Sequence, residues 1–215
     1  MGPVLCMITT GRHGAGSDDG LLVQTVQAAV CAGANLIQIR EHGLEAGRLA
    51  RLVRACLHAM AGSRVRVVVN DRLDVALATG AHGVHLREVS VPARDVRAIA
   101  PRGFLIGRSV HTAEDAARLG REGSLDYLIF GAVFPTPAKA DPPAGLEALR
   151  LAVQGTTVPV LAVGGVDGST AAAVASTGAA GMAAIRWWSE VPAAALPAAT
   201  RELAAAFAAG RPSRR

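Results

Sequence analysis

The segment 105–134, LIGRSVHTAEDAARLGREGSLDYLIFGAVF, decides how the rest of the chain is read. It opens on a β-rich run over 105–111, passes through an Ala- and Arg-rich stretch with helical spacing over 113–121, and closes on an apolar run over 127–134. Thr112 stands where a helix cap belongs, and Glu114 and Asp115 fall in the first turn, where the helix dipole favours negative charge. Strand, helix and strand, with both strands largely apolar, is the pattern of a parallel sheet covered on both faces.

The same unit recurs in both directions. Further strands are expected over 4–10, 36–41, 66–71, 83–87, 158–164 and 181–186. Helices are expected over 20–32, 45–61, 72–79, 92–100, 143–153, 168–177 and 191–209. Eight strands in strict alternation with eight helices, and no strand left over for an edge, imply closure. The expected fold class is therefore α/β, a single (β/α)8 TIM barrel over 1–209, with 210–215 as a flexible tail that has nothing to bury. An open doubly wound sheet is the competing architecture. Thr10-Gly11-Arg12-His13-Gly14-Ala15-Gly16 is glycine-rich, but it lacks the GxGxxG spacing and the acidic residue about 20 positions on that such a sheet would need.

A chain of 215 residues with 51% apolar content can bury a core of this size. Its net charge of +5 comes with only 3% aromatics and scattered arginines, which argues against a nucleic-acid partner and for a basic surface that attracts small anions. Cys6, Cys31 and Cys56 are odd in number, lack metal-ligand spacing and lie in apolar stretches, so they read as reduced, buried thiols. No secretory pattern opens the chain and no apolar run reaches the ~18 residues of a membrane span, so no membrane partner and a cytoplasmic location are expected. Among 22 basic residues there is one lysine, Lys139. It follows Phe134-Pro135-Thr136-Pro137-Ala138 at the end of a strand, and a Pro-punctuated loop carrying a hydroxyl and an ammonium reads as a phosphate-handling loop.

Chemistry in such barrels gathers where strands end. Those positions read Gln38, Arg40 and His42; Asn70 and Asp71; His85, with Arg87 and Glu88; Arg108, Ser109 and His111; Thr136 and Lys139; Gly164 and Gly165; Ile185 and Arg186. The Gly164-Gly165 pair lets backbone N–H groups approach an anion, together with the end of the eighth strand. His111, an imidazole at a strand end beside Arg108 and Ser109, is the group best suited to acid-base work, with His42 second. His85 can face into the barrel or out toward the helices, while His13 and His58 read as surface residues. Asp71 is the best carboxylate at the mouth, and Asp74 belongs to the following helix. The position that could pair with Asp71 is Ser90, so a two-carboxylate metal site is not evident; Glu88 could substitute only along a different loop path.

The stretches Gln38-Ile39-Arg40, Asn70-Asp71-Arg72-Leu73-Asp74-Val75-Ala76, Gly83-Val84-His85-Leu86 and Ile106-Gly107-Arg108-Ser109-Val110-His111 carry a family resemblance. So do Asp126-Tyr127, Phe130-Gly131-Ala132-Val133-Phe134-Pro135-Thr136, Lys139 and Gly164-Gly165-Val166. In order and spacing they resemble the thiamine phosphate synthase and TenI superfamily over nearly the whole chain. The resemblance implies the barrel already inferred, phosphorylated thiamine precursors as ligands, and two competing activities. Synthases join hydroxymethylpyrimidine pyrophosphate to thiazole phosphate with Mg2+. Their pattern has a lysine two residues after the second-strand arginine, two metal-binding aspartates, and a threonine before the loop lysine. Here those positions read His42, Asp71 with Ser90, and Ala138.

Losing a carboxylate and an ammonium weakens a site that must neutralise a leaving pyrophosphate. The resemblance therefore points to the TenI-type thiazole tautomerase, an isomerase with no cofactor and a small phosphorylated thiazole as its substrate. On that reading His111 takes the ring proton next to the carboxylate of a carboxythiazole phosphate and returns one to the exocyclic carbon. Arg40 would meet the carboxylate, and Gly165, Ile185 and Arg186, with Gly164 and Thr136, would hold the phosphate. Gln38, Asn70, Ser109 and Lys139 complete the substrate set. The alternatives are the synthase, in which Asp71 would ligate Mg2+ with Glu88 or water completing the shell, and a non-catalytic regulator that senses a thiamine precursor. A homodimeric partner is compatible with the family. Trp187-Trp188 leaves two readings open, packing against the last helix or a subunit interface.

Overall fold

The computed structural model describes residues 2–14, 16–137 and 141–212. Ala138, Lys139 and the end of the tail, 213–215, lie outside the described residues. The strands are β1 (Val4–Ile8), β2 (Leu36–Ile39), β3 (Arg66–Asn70), β4 (Gly83–Leu86), β5 (Leu105–Val110), β6 (Tyr127–Gly131), β7 (Val160–Val163) and β8 (Gly181–Ala184). Between them run α1 (Asp19–Ala32), α2 (Ala46–Ala59), α3 (Leu73–Thr79), α4 (Ala93–Ile99), α5 (Ala113–Arg121), α6 (Gly145–Gln154) and α7 (Ala171–Ser176). Two helices, α8 (Arg186–Glu190) and α9 (Leu196–Ala209), follow β8. All pairings are parallel, and β1 pairs with both β2 and β8, so the sheet closes as the expected (β/α)8 barrel.

Strand alternation sorts the residues into two sets. Cys6, Ile8, Leu36, Val68, Tyr127, Ile129, Leu161 and Ala183 pack together inside the barrel. Their neighbours one residue away, such as Met7, Ile37, Val67, Val69, Leu128 and Ala162, pack under the helices. Fully burying an aliphatic side chain stabilises by about 1.5–3 kcal/mol, so a one-residue slip in any strand would exchange these sets and lose much of the core. Thr112 caps α5 as expected, its hydroxyl accepting from the Asp115 N–H at 3.1 Å. Asp18 caps α1 by accepting from the Gly20 N–H at 2.8 Å.

The C-terminal region differs from the sequence expectation. The eighth strand stops at Ala184 rather than 186, and the helix expected over 191–209 starts only at Leu196, after the separate turn α8. Pro197 explains the later start: it sits in the first turn of α9, where its missing N–H costs nothing, whereas in a helix begun at 191 it would interrupt the ladder. Trp188 is buried in the main core and its indole N–H donates to the Cys6 carbonyl at 3.2 Å, so its place is packing. Cys6 and Cys56 are buried as expected, and burial pushes the Cys56 thiol up to about 12. Cys31 is exposed, because it falls on the solvent side of α1.

Candidate active site

The lumen of the barrel below its C-terminal mouth is floored by polar side chains of inward parity. Gln38 on β2 donates through Nε2 to Asn70 Oδ1 on β3 at 2.9 Å. Both side chains are buried, and Gln38 Oε1 and Asn70 Nδ2 have no hydrogen-bond partner among the described residues. Buried polar atoms left in this state cost stability unless something pairs with them, so an acceptor and a donor here are held ready for a ligand. His85 faces inward, one ring nitrogen 3.1 Å from the Tyr127 hydroxyl and the other 2.9 Å from that of Ser109. Burial pulls its pKa down to about 3, so this imidazole is neutral at physiological pH and acts as a rigid spacer.

Above this floor, Glu41, His42, Asn70, Asp71, Arg72 and Arg87 line a cavity of about 160 Å³. Asp71, just past β3, has φ +59, the one positive φ outside glycine among the described residues. Such a backbone costs of order 1–3 kcal/mol, and aspartate tolerates it better than most residues. The Asp71 N–H donates to the His85 carbonyl at 2.8 Å, and its carboxylate meets the loop 87–92 after β4. There Arg87 Nε donates to Oδ2 at 2.6 Å, and the Ser90 hydroxyl donates to Oδ1. Arg72 is taken by Asp74, through Nε at 2.9 Å and Nη2 at 2.6 Å. Burial first, then the positive charges of Arg40 and Arg87, hold the His42 pKa below its ordinary value, so at neutral pH it offers a hydrogen bond and no charge where the synthase pattern has lysine.

Two buried groups pin the surrounding loops. The Glu41 carboxylate accepts from the N–H of Gly11 at 3.2 Å and of His13 at 2.8 Å, which fixes the loop after β1. Arg108 has outward parity and donates to the carbonyls of Glu88 at 2.7 Å and of Ser90 and Val91 at 2.9 Å. It is therefore not the mouth partner of His111 that the sequence suggested; alternation along β5 turns it away from the lumen. Through the loop it holds, Arg108 places Arg87 and Ser90 over Asp71. A larger cavity of about 270 Å³ lies beside Arg108, between that loop and α5, but its charges satisfy one another: Arg118 pairs with Asp115 at 2.6 Å and with Glu122 at 3.4 Å.

The remaining predicted residues fall around the same rim. His111 Nδ1–H donates to the Gly131 carbonyl, which leaves Nε2 facing Glu88 Oε2 at 3.7 Å. Glu88 is thus turned to His111 and does not join Asp71. Gly164 and Gly165 have φ +91 and +64, and the Phe134 N–H donates to the Gly164 carbonyl at 3.0 Å. A Cβ on Gly165 would come within 2.6 Å of Phe134 Cβ, and one on Gly164 within 3.3 Å of Thr136 Cγ2, so glycine is required for the β6 loop to close over β7. This brings Thr136 against the glycine pair. Ile185 is partly buried at the end of β8, and Arg186 is exposed, 3.9 Å from Glu190. Arg87 stands among the strand-end positions of the sequence without a role there, and its two-residue step from His85 is the signal that it shares the inward parity.

The Mg2+ that the family resemblance implies does not fit the donors present. Of the two carboxylates that line the cavity, Glu41 is taken by the N–H groups of Gly11 and His13, and both oxygens of Asp71 are engaged, one of them by a guanidinium. Glu88 faces elsewhere, Asp74 is paired with Arg72, and no three His, Cys, Asp or Glu side chains gather as a metal shell among the described residues. A hard dication that seeks oxygen ligands would sit beside a fixed positive charge.

Fold and site together define a (β/α)8 barrel with a charged mouth over a polar lumen. The chain belongs to the family described as thiamine monophosphate synthase, whose profile matches residues 5–187. It is 38% identical over 164 residues to a thiamine-phosphate synthase of Methanocella arvoryzae, covering 75% of this chain and 77% of that protein. A thiamine-phosphate synthase of Albidiferax ferrireducens is 41% identical over 166 residues, covering 76% and 75%. Among solved structures, a thiamine phosphate pyrophosphorylase from Pyrococcus furiosus superposes with a TM-score of 0.81 at 32% identity, covering 96% of each chain. These findings overturn the expected TenI-type tautomerase and isomerase, because the relatives carry the synthase name. The departures at His42 and Ser90 stand beside Arg87, whose Nε lies 2.6 Å from Asp71.

Proposed function

We propose that the chain is a thiamine phosphate synthase, a transferase that joins hydroxymethylpyrimidine pyrophosphate to thiazole phosphate. The observation that carries this reading is the pair of buried polar atoms without a partner among the described residues, Gln38 Oε1 and Asn70 Nδ2, with Asn70 also lining the cavity that holds Arg87. A ligand with a heteroaromatic head and a pyrophosphate tail would satisfy these atoms and Arg87 at once. The reaction breaks one carbon–oxygen bond, with the electron pair leaving on pyrophosphate, and forms one carbon–nitrogen bond from the thiazole ring. It moves no proton at carbon, so His111 has no acid-base step to perform and stands at the rim near Glu88. The protein's task is orientation and charge neutralisation. Gln38 and Asn70 would orient the pyrimidine substrate, and Arg87, Arg40 and Lys139 would face the pyrophosphate. Gly164 and Gly165, with Thr136, Ile185 and Arg186, would seat the thiazole phosphate.

The test is incubation with both precursors and chromatography for thiamine phosphate and pyrophosphate in equal amounts. Replacing Asn70 with Ala should lower kcat/KM by about tenfold, the worth of a buried hydrogen bond to the substrate. Binding of the precursors without any product would reject the synthase in favour of a precursor sensor.

A further inference from the structure

We propose that Arg87 takes the place of a divalent cation in this site, so that the chain binds pyrophosphate through a fixed guanidinium without needing metal. The inference rests on the pyrophosphate-handling reading above and concerns this chain's own departure from the family pattern. Arg87 Nε–H is held by Asp71 Oδ2 at 2.6 Å, which fixes the plane of the guanidinium. Its Nη1 and Nη2 groups take no hydrogen-bond partner among the described residues, and Arg87 is one of the residues that line the cavity. A planar fork of free donors, oriented by a carboxylate behind it, is the geometry that binds phosphate oxygens two at a time. Asn70, which lines the same cavity, has in Nδ2 a buried donor with no partner among the described residues.

Three features fit together on this view. The strained backbone of Asp71 aims its carboxylate at Arg87 rather than at an ion. Ser90, where the synthase pattern has aspartate, donates to the other Asp71 oxygen and so completes a clamp that needs one carboxylate only. At His42, where the pattern has lysine, burial first and then Arg40 and Arg87 disfavour a positive charge, while Arg87 supplies one across the cavity. A second carboxylate at 90 would compete for the guanidinium, and a metal at Asp71 would have to displace it.

The experiment is calorimetric titration of the full chain, stripped of metal, with inorganic pyrophosphate in EDTA and again in excess Mg2+. Wild type should bind in EDTA, with Mg2+ tightening the complex by less than about threefold; Arg87→Ala should weaken binding in EDTA by about tenfold or more. The double variant Arg87→Ala with Ser90→Asp should bind only when Mg2+ is added. Arg87 is half exposed, so folding should survive, and thermal melting of each variant checks it. Wild type that binds only with Mg2+, or binds under neither condition, overturns the inference. So does an Arg87→Ala variant that titrates like wild type. If pyrophosphate behaves as expected but no thiamine phosphate forms, the synthase reading fails and this inference stands. If thiamine phosphate forms only with Mg2+ and Arg87→Ala makes no difference, this inference fails and the synthase reading stands.

Discussion

His85 shows how a single buried residue sets a property of the whole protein. In the folded chain its pKa is about 3, from burial, against an ordinary value of about 6.5 when unfolded. Between those values the unfolded chain binds a proton that the folded chain refuses, so stability rises with pH and falls on acidification. The slope approaches ~1.4 kcal/mol per pH unit. Relative to a His85→Gln variant, wild type should therefore lose about 2–3 kcal/mol more between pH ~6.5 and ~4.5, measured by urea unfolding at each pH. Parallel stability curves for the two proteins would contradict this. At this scale much of the site could be read in advance. Gln38, Asn70, Ser109 and Asp71 were visible because strand ends in a barrel converge. The role of Arg87 escaped because its partner lies on another strand's loop, and its worth depends on that contact. Counting what was missing at 42 and 90 without what was gained at 87 turned the reading toward the wrong reaction.

At the scale of elements, the loop 87–92 is the piece the site depends on, and Arg108 is what holds it. Truncating its guanidinium would leave the carbonyls of Glu88, Ser90 and Val91 without their donor. Arg108→Gln should cost about 2 kcal/mol, which for a chain of this size lowers Tm by about 4–8 °C. It should also weaken pyrophosphate binding, although Arg108 faces away from the lumen, and it should speed limited proteolysis within 87–92. A variant with unchanged melting and unchanged affinity would show that the loop holds itself. Strand positions were legible from apolar runs alone, since residues buried on both faces leave no other choice. The helix after β8 was not, because its Ala-rich sequence is uniformly compatible with helix and only the prolines mark where it can begin. Cys31 was misplaced for a similar reason: an apolar stretch says nothing about which face of an exposed helix a residue takes.

For the whole molecule, closure of the barrel separates two charged ends. Strands of four to six residues at about 3.3 Å each put the mouth and the opposite end on the order of 15–20 Å apart, beyond the ~8 Å Debye length at physiological salt. The net charge of +5 therefore matters to an anionic substrate only through the residues near the mouth. Arg186, exposed where β8 gives way to α8, lies at that end. Arg64 and Arg102, exposed in the connections leading into β3 and β5, lie at the other. Arg186→Glu should lower kcat/KM for the pyrophosphate substrate by about tenfold at low salt and flatten its decline with added NaCl. The combined Arg64→Glu and Arg102→Glu change removes more net charge and should leave kcat/KM within about twofold, because the screening length is shorter than the barrel. Equal losses in the two variants would mean that the charge of the whole particle, rather than the field of the mouth, draws the substrate in.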